Sequence, residues 1–162
     1  MKKSAILMAF AFCGLFFLFT SYYDASSYTP VFMKRSDLEK SVSYENKGRQ
    51  MNNPGKIYVR GNEVFINEKY KGVHIVDNSD PRNPVVKAFI VAPGCVDMAV
   101  KGSIIYLDNA VDLVAFDLDT KTVTERIRNF LPEHTAPDGR HADYYDRPED
   151  MVLVEWKTIY YL

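Results

Sequence analysis

The chain has 162 residues, of which 47% are hydrophobic and 25% charged, and its formal net charge is −1. This length suits one ordinary domain. The near-neutral charge argues against a nucleic-acid-binding protein that works through a basic surface, and the 11 Tyr and 10 Phe residues argue against global disorder.

The N-terminal segment is typical of an export signal. Lys2 and Lys3 precede an uncharged apolar run from Ala5 to Phe19. Secretory signals have an apolar region of about 7–15 residues, whereas a membrane-spanning helix needs about 20. Residues 1–22 are therefore predicted to be a signal peptide, with a membrane anchor over residues 5–23 as the alternative. We expect an exported protein of the periplasm or cell envelope, which contacts the membrane only through this segment.

Cys13 raises the possibility of a lipid-modified cysteine. A lipoprotein signal places a small residue before the cysteine and ends its apolar stretch there, but here Phe12 is bulky and the run continues to Phe19. Lipidation at Cys13 is therefore disfavoured. Once the signal is removed, Cys95 is the only cysteine, so no internal disulfide is expected.

Residues 23–54 are rich in Ser, Tyr and Asn, and they are predicted to be a leader segment that lies on the domain. Ser36 followed three residues later by Glu39 indicates the start of a short helix, with Ser36 as its cap.

From Gly55 onward the pattern favours β-structure. Short runs rich in β-branched and aromatic residues alternate with turns rich in Gly, Asn, Asp and Pro. This pattern predicts an antiparallel meander. The four predicted strands cover residues 56–60, 64–66, 73–76 and 85–91.

The strand pattern then repeats. Residues 59–61 and 64–67 recur 41 positions later as 100–102 and 105–108, and residues 73–77 recur 40 positions later as 113–117. A four-stranded unit of that period has the size of a β-propeller blade. The predicted fold is therefore all-β, with antiparallel four-stranded blade repeats of an incomplete propeller over residues 55–162. The blades are predicted at 55–94 and 95–133, with a partial third at 134–162, whose strands 152–156 and 159–162 leave an open edge. Further copies of the chain, or another blade-completing partner, would close that edge.

One stretch of the first unit resembles the LVIVD repeat of bacterial exported proteins, whose motif is close to G-L-x-I-V-D-x-S-x-P-x-x-P. The matching residues are Gly72, Val73, Ile75, Val76, Asp77, Pro81 and Pro84. A second, degenerate copy has Leu113 and Asp117 but lacks both prolines. The resemblance implies an N-terminal fragment of a propeller-like exported protein of no established activity. Many such proteins are lipoproteins, a pattern from which this chain departs at Phe12-Cys13.

Polar candidates for chemistry are few. His134, His141 and Asp143 lie in the one stretch that gathers imidazoles and carboxylates, and such groups bind metal ions, but their spacing matches no zinc pattern and a polar loop is favoured. Asp77 and Asp117 are expected to accept hydrogen bonds from the turns that follow them. His74 and Cys95 are expected to be buried structural residues. The tyrosine pairs 144–145 and 160–161, with Trp156, are expected to pack rather than to line a ligand face.

These observations favour a non-catalytic exported repeat protein, without a cofactor, that binds a protein, peptide or glycan. The first alternative is a metal-dependent envelope enzyme or metal-binding site that uses the loop 134–150. The second is a truncated fragment without independent function.

Overall fold

The computed structural model describes residues 27–159 and shows an all-β fold of antiparallel sheets, none of them closed into a barrel. Tyr28–Lys157 form one compact unit; a second unit consists of Met1–Ser27 and Thr158–Leu162, of which Ser27, Thr158 and Ile159 are described. The predicted signal or anchor, Cys13 and residues 160–162 lie outside the described range. Within that range, no helix has the length and apolar character needed to cross a membrane.

The strands in chain order are β1 (Ser27–Lys34), β2 (Ser43–Glu45), β3 (Pro54–Arg60), β4 (Glu63–Glu68), β5 (Gly72–Asp77), β6 (Val85–Val91), β7 (Met98–Lys101), β8 (Ile104–Asn109), β9 (Asp112–Asp117), β10 (Thr122–Ile127) and β11 (Met151–Ile159). A short helix, α1, spans Arg35–Leu38, and a 3₁₀ turn spans Ala142–Tyr144. The four strands predicted within residues 56–91 are confirmed as β3 to β6.

Two sheets carry the repeat. The first sheet has the strand order β2-β6-β5-β4-β3, and the second sheet has the order β10-β9-β8-β7. Strands β3 to β6 and β7 to β10 are both meanders of sequence neighbours, so the paired residues of one have equivalents in the other. The register fixes the equivalence of the outermost strands, because Ile90 lies opposite Val73 and Ile127 lies opposite Leu113.

The segment expected to be a leader contributes to the sheets. Strand β2 adds to the edge of the first sheet beside β6, with Tyr44 opposite Ile90. The predicted helix forms, but Ser36 lies inside it and Lys34 takes the N-cap position without a side-chain capping bond. The prediction of Ser36 as the cap is therefore wrong.

Residues 134–159 contain one strand, which covers the strand predicted at 152–156; the other strand predicted there, 159–162, lies almost entirely outside the described residues. Strand β11 is continuous from Met151 to Ile159, and it pairs with β1 in a two-stranded ribbon. The ribbon packs over the turns that follow β4 and β8, where Trp156 clusters with Tyr70 and Val154 clusters with Ala110. An ion pair of 2.6 Å between Lys71 Nζ and Glu155 Oε2 adds to this contact.

The main core lies between the two sheets. In both sheets, we call the side that corresponds to the core-facing side of the first sheet the front face, and the other side the back face. The front face of the first sheet contributes Phe65, Val73, Ile75, Ala88 and Ile90. The back face of the second sheet contributes Met98, Val100, Ile105, Leu107, Val114 and Phe116. None of these side chains is more than 7% exposed. Burial of this apolar surface is the main force that holds the sheets together.

Candidate binding face on the second sheet

The second sheet has a front face of its own, which the described residues leave open. We call it the open face and define it by the apolar equivalents of the buried front face of the first sheet: Tyr106, Leu113, Ala115 and Ile127. The fifth equivalent, that of Ala88, is Glu125, which lies opposite Ala115. Tyr106 is 38% exposed and Ile127 is 47% exposed, whereas their equivalents Phe65 and Ile90 are fully buried. The face is therefore apolar in composition but still accessible to a ligand.

Strand alternation accounts for this face. Successive side chains of a strand point to opposite sides of the sheet, so the residues between those of the core face outward. Pairing then sets the outward residues side by side: Tyr106 lies opposite Ala115, and Leu113 lies opposite Ile127. The same alternation that builds the core thus builds an apolar surface on the other side.

Two depressions mark the open face. One has a volume of about 210 Å³ and the other about 270 Å³, and both are lined by Tyr106 and Leu113. The first also reaches Leu131, Lys56 and Asp97, while the second extends along the sheet to Ile127. Apolar depressions with a few polar groups at their margin are typical of binding sites.

Polar groups gather at one end of the first depression. Lys56 Nζ lies 2.6 Å from Asp97 Oδ1, and both side chains are half exposed or more. Behind them, the buried carboxylate of Asp108 accepts hydrogen bonds from the backbone N–H groups of Val96 and Asp97, at 3.0 and 2.9 Å. Burial raises the pKa of Asp108 despite these bonds. This end of the depression therefore has an exposed ion pair and a desolvated carboxyl group.

Cys95 lies beneath this region and is fully buried. Its Sγ accepts a hydrogen bond of 3.3 Å from Asn67 Nδ2, and burial, with Asp108 nearby, raises the thiol pKa well above its usual value. A thiol that is protonated and inaccessible is a poor nucleophile. The prediction of a buried structural cysteine is confirmed.

The structure places the three candidate metal ligands in different surroundings. His134 Nε2 lies 3.9 Å from Asp108 Oδ2, and its backbone carbonyl accepts the indole N–H of Trp156. His141 is exposed before the 3₁₀ turn, and Asp143, also exposed, lies 3.9 Å from Arg147. Within residues 27–159, no three His, Cys, Asp or Glu side chains are grouped so that they could hold a metal ion.

The repeat-motif residues shape strands and turns. Asp77 Oδ1 accepts the N–H and hydroxyl of Ser79, and Asp117 Oδ1 accepts the N–H groups of Asp119 and Thr120. The expectation that both aspartates cap the turns that follow them is confirmed. The Lys87 ammonium and the Ser79 bonds lower the pKa of Asp77.

Other motif residues have equally structural positions. Val73, Ile75 and Val76 are buried, and Pro81 and Pro84 are exposed in the turn before β6. Gly72 has a φ of +141°, and a Cβ there would lie 1.9 Å from the carbonyl oxygen of Ile90. Glycine is thus required at this position by both the backbone conformation and the close approach of β6.

Two groups of buried polar residues were not predicted from the sequence. In the first sheet, Glu68 Oε2 lies 3.0 Å from His74 Nε2, and Glu68 also accepts the backbone N–H groups of Asn52 and Asn53. Burial opposes ionisation of Glu68, but these hydrogen bonds outweigh it and lower its pKa. His74 is buried, as expected, and contacts the Phe89 ring edge-on, but within the described residues its Nδ1 has no hydrogen-bond partner.

The second sheet has its buried carboxylate at another position. Asp112 pairs with Arg35 and Arg126 at 2.8 and 2.7 Å and accepts the N–H of Asn129 at 3.0 Å. These bonds outweigh the effect of burial, so the pKa of Asp112 is lowered. Arg35 is remote from Asp112 in sequence, so only the fold reveals this cluster.

The aromatic side chains near the C-terminal end do not form one surface within the described range. Trp156 is buried, the Tyr145 hydroxyl donates to the carbonyl of Tyr28 at 2.7 Å, and Tyr144 is 77% exposed on the 3₁₀ turn. The open face, whose residues on β8 and β9 follow from the repeat offset, is thus the best candidate site.

Comparisons with protein-family models, curated proteins and solved structures find no match for this chain. The resemblance to the LVIVD repeat therefore stays a prediction from its motif residues.

Proposed function

We propose that the chain is an exported, non-catalytic repeat protein of the cell envelope that binds another protein through the open face. Its two four-stranded meanders are, in this proposal, adjacent blades of the propeller type. The strand repeat and the packing of one sheet on the next support that assignment, and the LVIVD-like motif agrees with it. Lys2, Lys3 and the apolar run after them support export.

One observation carries the binding proposal: Phe65 and Ile90 are buried in the first sheet, whereas their apolar equivalents in the second, Tyr106 and Ile127, are exposed. Contiguous apolar surface that stays accessible marks interaction sites more often than ordinary surface. Tyr106 provides an aromatic anchor of the kind that is enriched in protein interfaces. The Lys56–Asp97 ion pair supplies a polar rim beside it.

The open face favours a protein over a glycan. Apart from Tyr106, the residues that define it are aliphatic, and the polar side chains of the second depression, Thr124 and Glu125, lie on β10 at its margin. Beside these residues, Oδ1 of the buried Asp108 carboxylate is already occupied by two backbone N–H groups. A complementary apolar surface on a protein partner needs none of these groups.

Site-specific photo-crosslinking tests this function. The full chain carries p-benzoylphenylalanine in place of Tyr106, and a matched control carries it in place of Tyr144, which is more exposed but lies on the 3₁₀ turn. After irradiation of intact cells, we expect protein adducts from position 106 in the envelope or periplasmic fraction, and few from position 144.

Equal yields at the two positions, or no protein adduct at position 106, would contradict binding through the open face. Adducts confined to the cytosol would contradict export. Mass spectrometry of the adduct identifies the partner.

A further inference from the structure

We infer that the partner of the open face is a second copy of this chain, which docks the back face of its first sheet there. This inference rests on the proposed function, because it names the protein that occupies the open face. The new contact repeats, between copies, the sheet-on-sheet interface that each chain already forms internally.

The interface between the two sheets of one chain shows what kind of surface would fit the open face. Inside the chain, the front of the first sheet is covered by the back of the second, where Met98 and Val100 on β7 are 3% and 7% exposed. The open face is the equivalent of that covered front. The surface that suits it is therefore one that resembles the back of the second sheet.

The chain carries such a surface on its opposite side. Ile57 and Val59 on β3 are the equivalents of Met98 and Val100, and they are 59% and 61% exposed. Their neighbours in the sheet, Val64 and Ile66, are half-buried on the same back face. Both halves of an interface that forms once within the chain are thus present again, unpaired, on its two outer sides.

The back face of the first sheet is partly covered, which limits the contact to β3 and β4 at one edge of that sheet. Segment 46–53 lies over β6, where Gly48 approaches the Val86 carbonyl and the Arg49 guanidinium lies 4.5 Å from the centre of the Phe89 ring. Apart from Glu68, which binds Asn52 and Asn53 at the end of β4, the back face of β3 and β4 is left open by the described residues. The contact between copies is therefore smaller than the internal one, and we expect the assembly to depend on concentration.

The charges along β3 and β7 match a contact between the open face of one copy and the back face of another. Within the chain, Lys56 on β3 pairs with Asp97, its equivalent 41 residues later. In the contact between copies, Asp97 has the position on the open face that Lys56 has on the front face of the first sheet. It therefore faces Lys56 of the second copy, and opposite charges meet again. Similarly, Arg60 donates to the carbonyl of Gly102, and Lys101, its equivalent, would reach the carbonyl of Gly61 in the second copy.

The resulting contact is head-to-tail, because the two surfaces that meet are different. Such an interface forms a ring if its rotation closes and a filament if it does not. Closed propellers have about 4–8 blades, so a chain that supplies two blades closes as a ring of about two to four copies.

Two complementary variants of the full chain test this arrangement. Val59→Asp blocks the back face, and Tyr106→Asp blocks the open face. Val85→Asp, at a residue that is 58% exposed but lies on the outer strand β6, is the matched control. Analytical ultracentrifugation over a hundredfold range of concentration gives the mass of each species, and circular dichroism checks that each variant is folded.

We expect the unaltered chain and Val85→Asp to assemble as concentration rises, and each blocked variant to stay monomeric alone. Val59→Asp keeps an intact open face, and Tyr106→Asp keeps an intact back face. A mixture of the two variants should therefore form a one-to-one dimer and nothing larger. A dimer whose two copies use the same surface would not be rescued by mixing.

A chain that is monomeric at every concentration would overturn the inference, as would a blocked variant that still assembles or a mixture that stays monomeric. The crosslinking experiment separates this failure from that of the proposed function. An adduct from position 106 with a different protein contradicts only the second-copy inference, whereas the absence of any adduct contradicts binding through the open face.

Discussion

The two sheets follow one strand pattern but differ in what covers them. Phe65 and Ile90 in the first sheet are fully buried, while Tyr106 and Ile127, at the equivalent positions of the second, are 38% and 47% exposed. All four are large apolar residues on the same face of the same kind of meander. The difference therefore comes from the neighbouring layer and not from the strands themselves.

The sheets also differ in how they hold the loops at their ends. The first uses Glu68 to bind the segment before β3, and the second uses Asp112 to bind α1 and the segment after β10. These carboxylates occupy different repeat positions, since the equivalent of Glu68 is Asn109 and that of Asp112 is Gly72. What the sheets share is the need to satisfy buried backbone N–H groups, which several residue types can meet.

The largest expected effect compares the two aromatic rings at equivalent positions. Phe65→Ala leaves a cavity between the sheets and should lower the free energy of unfolding by about 3–5 kcal/mol. Tyr106→Ala removes a ring that lies at the surface and should cost about 1 kcal/mol or less. Urea denaturation at low protein concentration measures both losses without a contribution from association. Equal losses would show that the second sheet is covered as completely as the first.

The next effect concerns the buried carboxylate of the second sheet. Asp112→Ala leaves Arg35 and Arg126 without their shared partner and should cost about 3–5 kcal/mol at pH 7, at the lower end because both guanidinium groups keep some contact with solvent. Asp117→Ala, in an exposed turn, is the control and should cost less.

Acid should reduce the Asp112 effect. The folded-state pKa of Asp112 lies below its ordinary value of about 3.9, so the stabilisation is complete above that value and is lost as the pH falls through the folded-state pKa. Urea denaturation at several pH values should therefore show the unaltered chain and Asp112→Ala converging in acid. A constant gap down to the lowest pH would show that the Asp112 carboxylate is not the source of the effect.

The smallest effect has the opposite sign. Asp108→Asn copies Asn67, its equivalent in the first sheet, and keeps an acceptor for the N–H groups of Val96 and Asp97. Because burial raises the folded-state pKa of Asp108, its contribution favours folding below about pH 3.9 and is lost as the pH rises through the raised value. Asparagine does not ionise, so the variant should melt at a slightly higher temperature at pH 7 and show no such gain at pH 3. A lower melting temperature at pH 7 would contradict this account.

Much of the two meanders could be predicted from the sequence, because alternation and turn residues are local signals. Strands β3 to β6 and the repeats at β7 to β9 follow from them. A fourth strand was expected within residues 95–133, but the position of β10 was not predicted, since its Thr, Glu and Arg residues lack an apolar stripe. Strand β1 contains Pro30, which weakens a strand signal, and its pairing with β11 depends on the tertiary fold.

The site was less accessible to sequence reasoning. His134, His141 and Asp143 are neighbours in the sequence, but the fold gives each a different environment. Asp112 and Arg35 are distant in sequence, and nothing local predicts that they meet. The open face is an intermediate case: its residues on β8 and β9 follow from the repeat, but only the position of the neighbouring sheet shows which copy of the face is uncovered.

The β1–β11 ribbon has a consequence for the order of folding. Each meander joins strands that are adjacent in the sequence, and such contacts form at small cost in chain entropy. The ribbon instead ends where the N–H of Arg35 donates to the carbonyl of Asp150, and this contact closes a loop around both meanders. We therefore expect the sheets to form first and the ribbon to close last, so that it acts as a clasp across the finished turns rather than as a template for them.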